Sequence, residues 1–208
     1  GIGLAIDTLI RDLFERSEAL GWFAIGLAAI GGLALIALVV REISALLRIR
    51  KMTPSSKEKT PIFKTAVQGQ AQAAQSDWWK VVVEYETKPD WINQIDFTYY
   101  VYMKDQSNKG AEVMFTSSVS YVNVKKGRHY SDMFLHPNTL ARMGRVEQVA
   151  VVIKVGGVVV GMESTAKTPN WWDRYPPTQG VLLNRSQTPF SLIDFDMYEQ
   201  VKPLPRTR

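Results

Sequence analysis

Asp77-Trp-Trp-Lys-Val-Val-Val-Glu-Tyr-Glu86 is the stretch on which the fold turns. Trp79, Val81, Val83 and Tyr85 alternate with Lys80, Glu84 and Glu86, a period of two that places one side chain in three dimensions inward and the next outward. The pattern predicts a half-buried strand. Ile95, Phe97, Tyr99, Val101 and Met103 repeat it against Asp96, Thr98 and Lys104, a second strand. Val113, Phe115, Val119 and Tyr121 resume it beyond the turn-rich Asp105-Gln-Ser-Asn-Lys-Gly110. After Tyr121 the apolar positions move to Val122 and Val124, a slip that a bulge or a change of sheet explains.

Farther along, residues 133–144 contain Pro137 and Asn138 and read as a loop with one helical turn. Val149-Ala-Val-Val-Ile153 is apolar on both faces, so that strand is expected to be central. Gly156-Gly157 supplies the positive φ of a tight hairpin into Val158–Met162. Residues 166–180 are loop-like, and a last strand is expected within Phe190–Val201. Short strands at this spacing with little helix predict an all-β, antiparallel sandwich or barrel over residues 77–208, and an immunoglobulin-like sandwich is the preferred reading. The chain has no Cys, so the sandwich lacks the Cys…Trp…Cys core of antibody domains.

Upstream the composition changes. Residues 19–40 are 22 consecutive apolar or Gly residues, long enough at ~1.5 Å each for a bilayer's ~30 Å core. A transmembrane helix is predicted. A cleaved signal peptide fits poorly, because Asp12, Glu15 and Glu18 make the preceding segment acidic. Ala24, Ala28 and Gly32 form a small-residue stripe where a second helix could pack closely. In residues 1–18, Ile2, Ile6, Leu9, Ile10, Leu13 and Phe14 share one face of an amphipathic helix. Residues 41–76 read as a basic flank and linker, polar and bounded by Pro54 and Pro61. Arg41, Arg48, Arg50, Lys51, Lys57 and Lys59 outnumber the acids there, which by the positive-inside rule places the C-terminal side in the cytoplasm.

Two resemblances attach to these residues. Asp12-Leu-Phe-Glu-Arg-Ser17, Leu20-Gly-Trp22 and the closing Val39-Val-Arg-Glu-Ile43 resemble bacterial inner-membrane proteins of the YcjF/DUF697 type. That resemblance spans residues 1–52 and implies a cytoplasmic C-terminal region. Trp78-Trp-Lys-Val-Val-Val-Glu-Tyr85, Asp96-Phe-Thr-Tyr-Tyr-Val-Tyr102 and Val149-Ala-Val-Val-Ile-Lys-Val-Gly-Gly157 resemble a pilus-associated, immunoglobulin-like protein family exported by gut Verrucomicrobia. That one spans residues 61–208 and implies a non-enzymatic role at the surface or in pilus assembly. The two imply opposite sides of the membrane: either the charge rule fails here, or the chain joins unlike segments near residues 52–60.

The chemistry-bearing residues are few. Lys and Arg number 25 against 20 acids, and the surplus is spread along the chain, so nucleic acid is not an expected partner. The two histidines, His129 and His136, are too few for a metal site without Cys. Ser117, Ser118 and Ser120 lack a nucleophile turn, and Asp194 and Asp196 read as solvated residues on one face of the last strand. The chain is expected to be no enzyme and to need no cofactor or metal. Trp171, Trp172 and Tyr175, in a Pro-rich loop, are the candidate interface, as anchors for a protein partner or a platform for a glycan; the other reading folds the tryptophan pair back to plug an open end of the sandwich. Expected partners are membrane lipid and a protein partner or a second copy of the chain.

Overall fold

The structure, a computed structural model, describes residues 46–62 and 75–203. The predicted helices of residues 1–18 and 19–40, with the stripe Ala24, Ala28 and Gly32, lie outside them. Among the described residues no helix is long and apolar enough to cross a membrane.

Among the described residues seven strands form one hydrogen-bonded sheet: β1 (Leu47–Lys59), β2 (Asp77–Asp105), β3 (Ala111–Leu135), β4 (Val146–Val155), β5 (Val158–Ser164), β6 (Pro177–Thr178) and β7 (Leu182–Asn184). The order is β5-β4-β2-β3-β6, with β1 added beside β2 and β7 beside β3. All pairs are antiparallel except β3 with β6, so the sheet is mixed. The two strands predicted from Trp79 and from Ile95 are one strand of 29 residues, because β3 pairs with it along nearly its whole length.

Both long strands fold back on themselves. Tyr121 and Ser131 are ten residues apart in β3, about 33 Å in an extended strand. Their side chains nevertheless meet in a 3.1 Å hydrogen bond. In β2, the Tyr85 and Phe97 rings lie 5.0 Å apart. The fold line is the register shift between Thr87 and Trp91, around Lys88-Pro89-Asp90, where Pro89 cannot donate to the ladder. On β3 the facing positions are Asn123 and Gly127, with φ of +54° and +142°. Asn123 accounts for the slip after Tyr121: Tyr121 and Val124 point inward, and Val122 is only half-buried. The predicted sandwich is therefore one sheet doubled over. Its near half is β1, the start of β2, the end of β3 and β7; its far half is β5, β4, the end of β2 and the start of β3.

The main core lies between the two halves. Val81, Val83 and Tyr85 come from one half, Ile95, Phe97, Tyr99 and Val101 from the other, with Val149, Val151 and Ile153 of β4. Burial of each such side chain contributes about 1.5–3 kcal/mol. Central β4 is buried on both faces over Val149–Ile153, as its composition predicts, and Gly156 (φ +57°) and Gly157 (φ +81°) make the predicted hairpin turn. Residues 137–143 form a two-turn helix, α1 (Pro137–Met143), with Pro at its first position and the His136 Nδ1 accepting from the Asn138 N–H at 3.1 Å.

The linker expected over residues 41–76 is corrected by β1. Leu47 is buried, and Ile49 and Met52 pack on the core, while Arg48, Arg50, Lys51, Lys57 and Lys59 face solvent. Arg50 and Lys59 pair with Glu86 and Asp77 of β2, both at 2.8 Å. Basic residues, Pro54 and two register shifts resemble a linker in sequence, but they are the usual devices of an edge strand. The seam expected near residues 52–60 thus runs through the middle of a paired strand; the chain divides between Ala45 and Leu46.

Leu47→Ala should lower the unfolding free energy of the full chain by about 2–5 kcal/mol in urea titration. A change within about 0.5 kcal/mol would show that residues 47–59 behave as a linker.

Candidate interaction surface

The Trp171–Tyr175 loop covers the outer face of the far half-sheet. Tyr100 and Tyr102 of β2, Ala150 and Val152 of β4 and Met114 of β3 point away from the main core and need cover. Trp172 stacks on Tyr100 at 5.3 Å and 13°, Trp171 donates from Nε1 to Ser164 Oγ at 2.9 Å, and Tyr175 lies 4.9 Å from Tyr102. Trp171 is 2% exposed and Trp172 6%. The tryptophan pair, in sequence either an exposed platform or a plug folded back on the sandwich, is a second small core. Sequence alone does not reveal that β4 and the even-numbered tyrosines of β2 leave an apolar face outside.

The polar candidates also separate. His129 is buried beside the fold line: its Nε2 donates to the Lys125 carbonyl at 2.7 Å, and its Nδ1 lies 2.8 Å from Glu199 Oε1. His136 caps α1. Ser118 pairs across the sheet with Thr98 at 3.1 Å, and Ser120 donates to Asp96 at 2.6 Å. Among the described residues no group of three or more His, Asp or Glu could hold a metal ion.

Instead of the predicted last strand, residues 185–197 make three 3-10 turns: Arg185–Gln187, Pro189–Leu192 and Phe195–Met197. Local chemistry overrides the strand pattern. Asn184 accepts from the Ser186 N–H at 3.0 Å, Thr188 caps the Pro189 turn, and Asp194 adopts φ +50°. Asp194 and Asp196 therefore do not share a strand face; both are exposed in the turns.

This segment is pinned at several points. Phe190 is buried, stacked 4.8 Å from Phe134. Arg185, 7% exposed, donates from Nη1 to the fully buried Asp132, donates from Nη2 to the Ile193 carbonyl, and lies over the Tyr198 ring at 3.7 Å. Beyond the turns, Tyr198 and Val201 bridge to Tyr130 and Tyr121 along the outer edge of β3. Burial pushes the Asp132 carboxyl above its ordinary pKa, while Arg185 and then Lys80 pull it down. Between the pins, Leu192 and Phe195 are each 70% exposed and Met197 53%, above a cleft of about 360 Å³ lined by Arg185, Ser191, Phe195, Tyr198 and Val201. Large apolar side chains held outward by a buried, charge-paired Arg make this segment a candidate interaction surface. The sequence signal for it was Pro189 with two aspartates inside an apolar run, a poor strand.

Trp172→Ala should cost about 3–5 kcal/mol of stability, measured by urea unfolding. Arg185→Met leaves Asp132 buried without its cation and should cost about 3–5 kcal/mol near neutral pH. With Arg185 gone the folded-state pKa of Asp132 rises further above the unfolded value. The folded state then binds the extra proton, so the variant should regain stability as pH falls through that raised pKa. Unfolding curves across pH check this; a loss that deepens with acid contradicts it.

Comparison with known proteins bears on both halves of the chain. The fold matches the crystal structure of a protein from Akkermansia muciniphila with a TM-score of 0.69 at 20% identity, over 76% of this chain and 94% of that one. Short similarities link the chain to UPF0283 membrane proteins: 53% identity over 49 residues in Rhizobium leguminosarum, 51% over 51 in Mesorhizobium japonicum and 39% over 75 in Sinorhizobium medicae. These cover 24%, 24% and 36% of this chain, and the chain spans only 14%, 14% and 20% of those proteins. They support an association with the membrane. A family model matches residues 43–204, beginning just before β1 and ending after the last bridge to β3. Matched over more than three-quarters of its length, the chain belongs to the family of pilus-associated, immunoglobulin-like β domains that its residues 61–208 resemble.

Proposed function

We propose that this chain is a membrane-anchored, non-enzymatic interaction module of the bacterial envelope, working in pilus or surface-appendage assembly. The observation that carries the reading is the Leu192–Met197 loop, where apolar side chains stand in solvent on a fixed backbone. Preorganised apolar anchors lower the ordering cost of association. The uncharged run 19–40 and the similarity to membrane proteins support the anchor. The glycan reading of Trp171, Trp172 and Tyr175 loses its platform, since both indoles are covered.

The β domain works on the outer side of the inner membrane. The positive-inside count rested on six basic residues, and five of them lie on the solvent face of β1. Long folded domains translocate largely regardless of their charge, so the count weighs little against export, which the likeness to an exported family supports.

The absence of Cys makes the test clean. Lys57→Cys in the full chain should react with a membrane-impermeant maleimide in intact spheroplasts. Reaction only after lysis would place the domain in the cytoplasm and refute the sidedness. For the surface, the parent chain should run in a high-mass complex on native gels of solubilised membranes, and Phe195→Asp should dissolve it while leaving unfolding within about 0.5 kcal/mol. An unchanged complex would contradict the role of the loop.

A further inference from the structure

We infer that the Leu192–Met197 loop docks into a cleft on a second copy of this chain, at the opposite edge of the sheet; the inference rests on the interaction reading above. The cleft, about 460 Å³, is lined by Pro54 and Ser55 of β1, Trp79 of β2, Leu140 of α1, Arg145 and Val146. It opens where the folded sheet fails to close. Near Gly161 the seam between β1 and β5 is filled by Ile49 and Leu47, 3.3 and 3.5 Å from where a Cβ would stand. Toward Pro54 that filling ends and Trp79, only 3% exposed, becomes the floor.

A strand is the wrong occupant for this cleft. Pro54 offers no N–H, and β1 shifts register between Ile49 and Lys51 and between Ser55 and Glu58, so its outer edge cannot run a regular ladder. What the cleft can take is side chains: apolar ones for Trp79, Leu140 and Val146, with negative charge toward the rim. Arg145 stands there with its side chain 83% exposed, held only by a surface pair to Glu147, and exposed Lys57 follows Ser56 on β1.

The loop carries that complement. Leu192 and Phe195 are its most exposed apolar groups, and Asp194 and Asp196 sit beside them, in no ion pair among the described residues. Pockets of ~300–1,000 Å³ take whole small ligands, so this cleft has room for an aromatic and an aliphatic side chain together. The two surfaces belong to different strands: the loop hangs from the outer edge of β3, and the cleft lies on the outer edge of β1, with β2 between. Made in one direction, a loop-to-cleft contact is heterologous and leaves the pair with one free cleft on one copy and one free loop on the other, the geometry that builds rows rather than closed pairs.

The test places a photoreactive benzoylphenylalanine at position 195 of the full chain in living cells. Irradiation should give adducts at multiples of 23.5 kDa, with the cross-link mapped to peptides containing Ser55, Leu140 or Arg145. Arg145→Glu in the same chain should abolish the adduct, and adding Asp194→Lys with Asp196→Lys should restore it. Arg145 is exposed, so unfolding curves of its variant should match the parent and separate lost docking from lost fold. Adducts cross-linked loop to loop would overturn the heterologous contact. Adducts of another mass, to a different protein or to lipid, would overturn the second copy as occupant while leaving an interaction surface in place. No adduct at all would overturn both the docking and the reading on which it rests.

Discussion

The Thr87 hydroxyl ties the fold line together. It donates to the Lys125 carbonyl at 2.6 Å, accepts from the Gly127 N–H at 3.1 Å, and lies 3.2 Å from His129 Nε2. Long paired strands normally twist in one direction; here they must break register and turn back over their own inner face. Pro89 removes ladder donors on β2, and the positive φ of Asn123 and Gly127 supplies the local freedom on β3. Thr87 then satisfies the backbone groups that the break leaves behind. Unpaired, each such buried group would cost about 1–3 kcal/mol.

From that turn follows the placement of everything else. Folding the sheet brings Tyr99 and Tyr121 onto Ser131, at 2.7 and 3.1 Å, and joins the two halves in one core. It leaves β1 and β5 as neighbouring edges that pack through side chains without a ladder, and beyond the end of β5 a cleft remains between β1, α1 and the start of β4. It also exposes the outer edge of β3, which the C-terminal segment covers. The two cavities and the exposed loop are thus consequences of an incompletely closed sheet, and they lie at its two free edges.

Much of this was legible in residues. The period-two pattern of Trp79–Tyr85 and Ile95–Met103, the apolar Val149–Ile153 and the Gly156-Gly157 turn each specify their element locally, and the structure agrees with them. What escaped was decided by neighbours distant in sequence. β1 reads as a linker because an edge strand needs charge and proline on its free side, and only pairing with β2 reveals it. Trp171 and Trp172 could be read either as exposed or as folded back, because the tyrosines they cover, Tyr100 and Tyr102, lie about seventy residues away on the outer face of β2. The last strand dissolved into turns because Asn184, Thr188 and Asp194 satisfy the backbone locally before a ladder can form. The Leu192–Met197 surface was hidden by the same error, since alternating apolar residues on a strand would have pointed half their number inward.

The doubling-over of β2 is most directly tested by the distance between spin labels on its two limbs, attached at Glu84→Cys and Thr98→Cys in this chain without native Cys. Fourteen residues of extended strand span about 46 Å. In the folded sheet the labels stand on opposite outer faces of two layers about 10 Å apart, so pulsed dipolar spectroscopy should return a distance set by that separation and the label arms, well short of the extended value. A distribution centred near 46 Å would contradict the folded sheet and, with it, the cleft and the loop that depend on it.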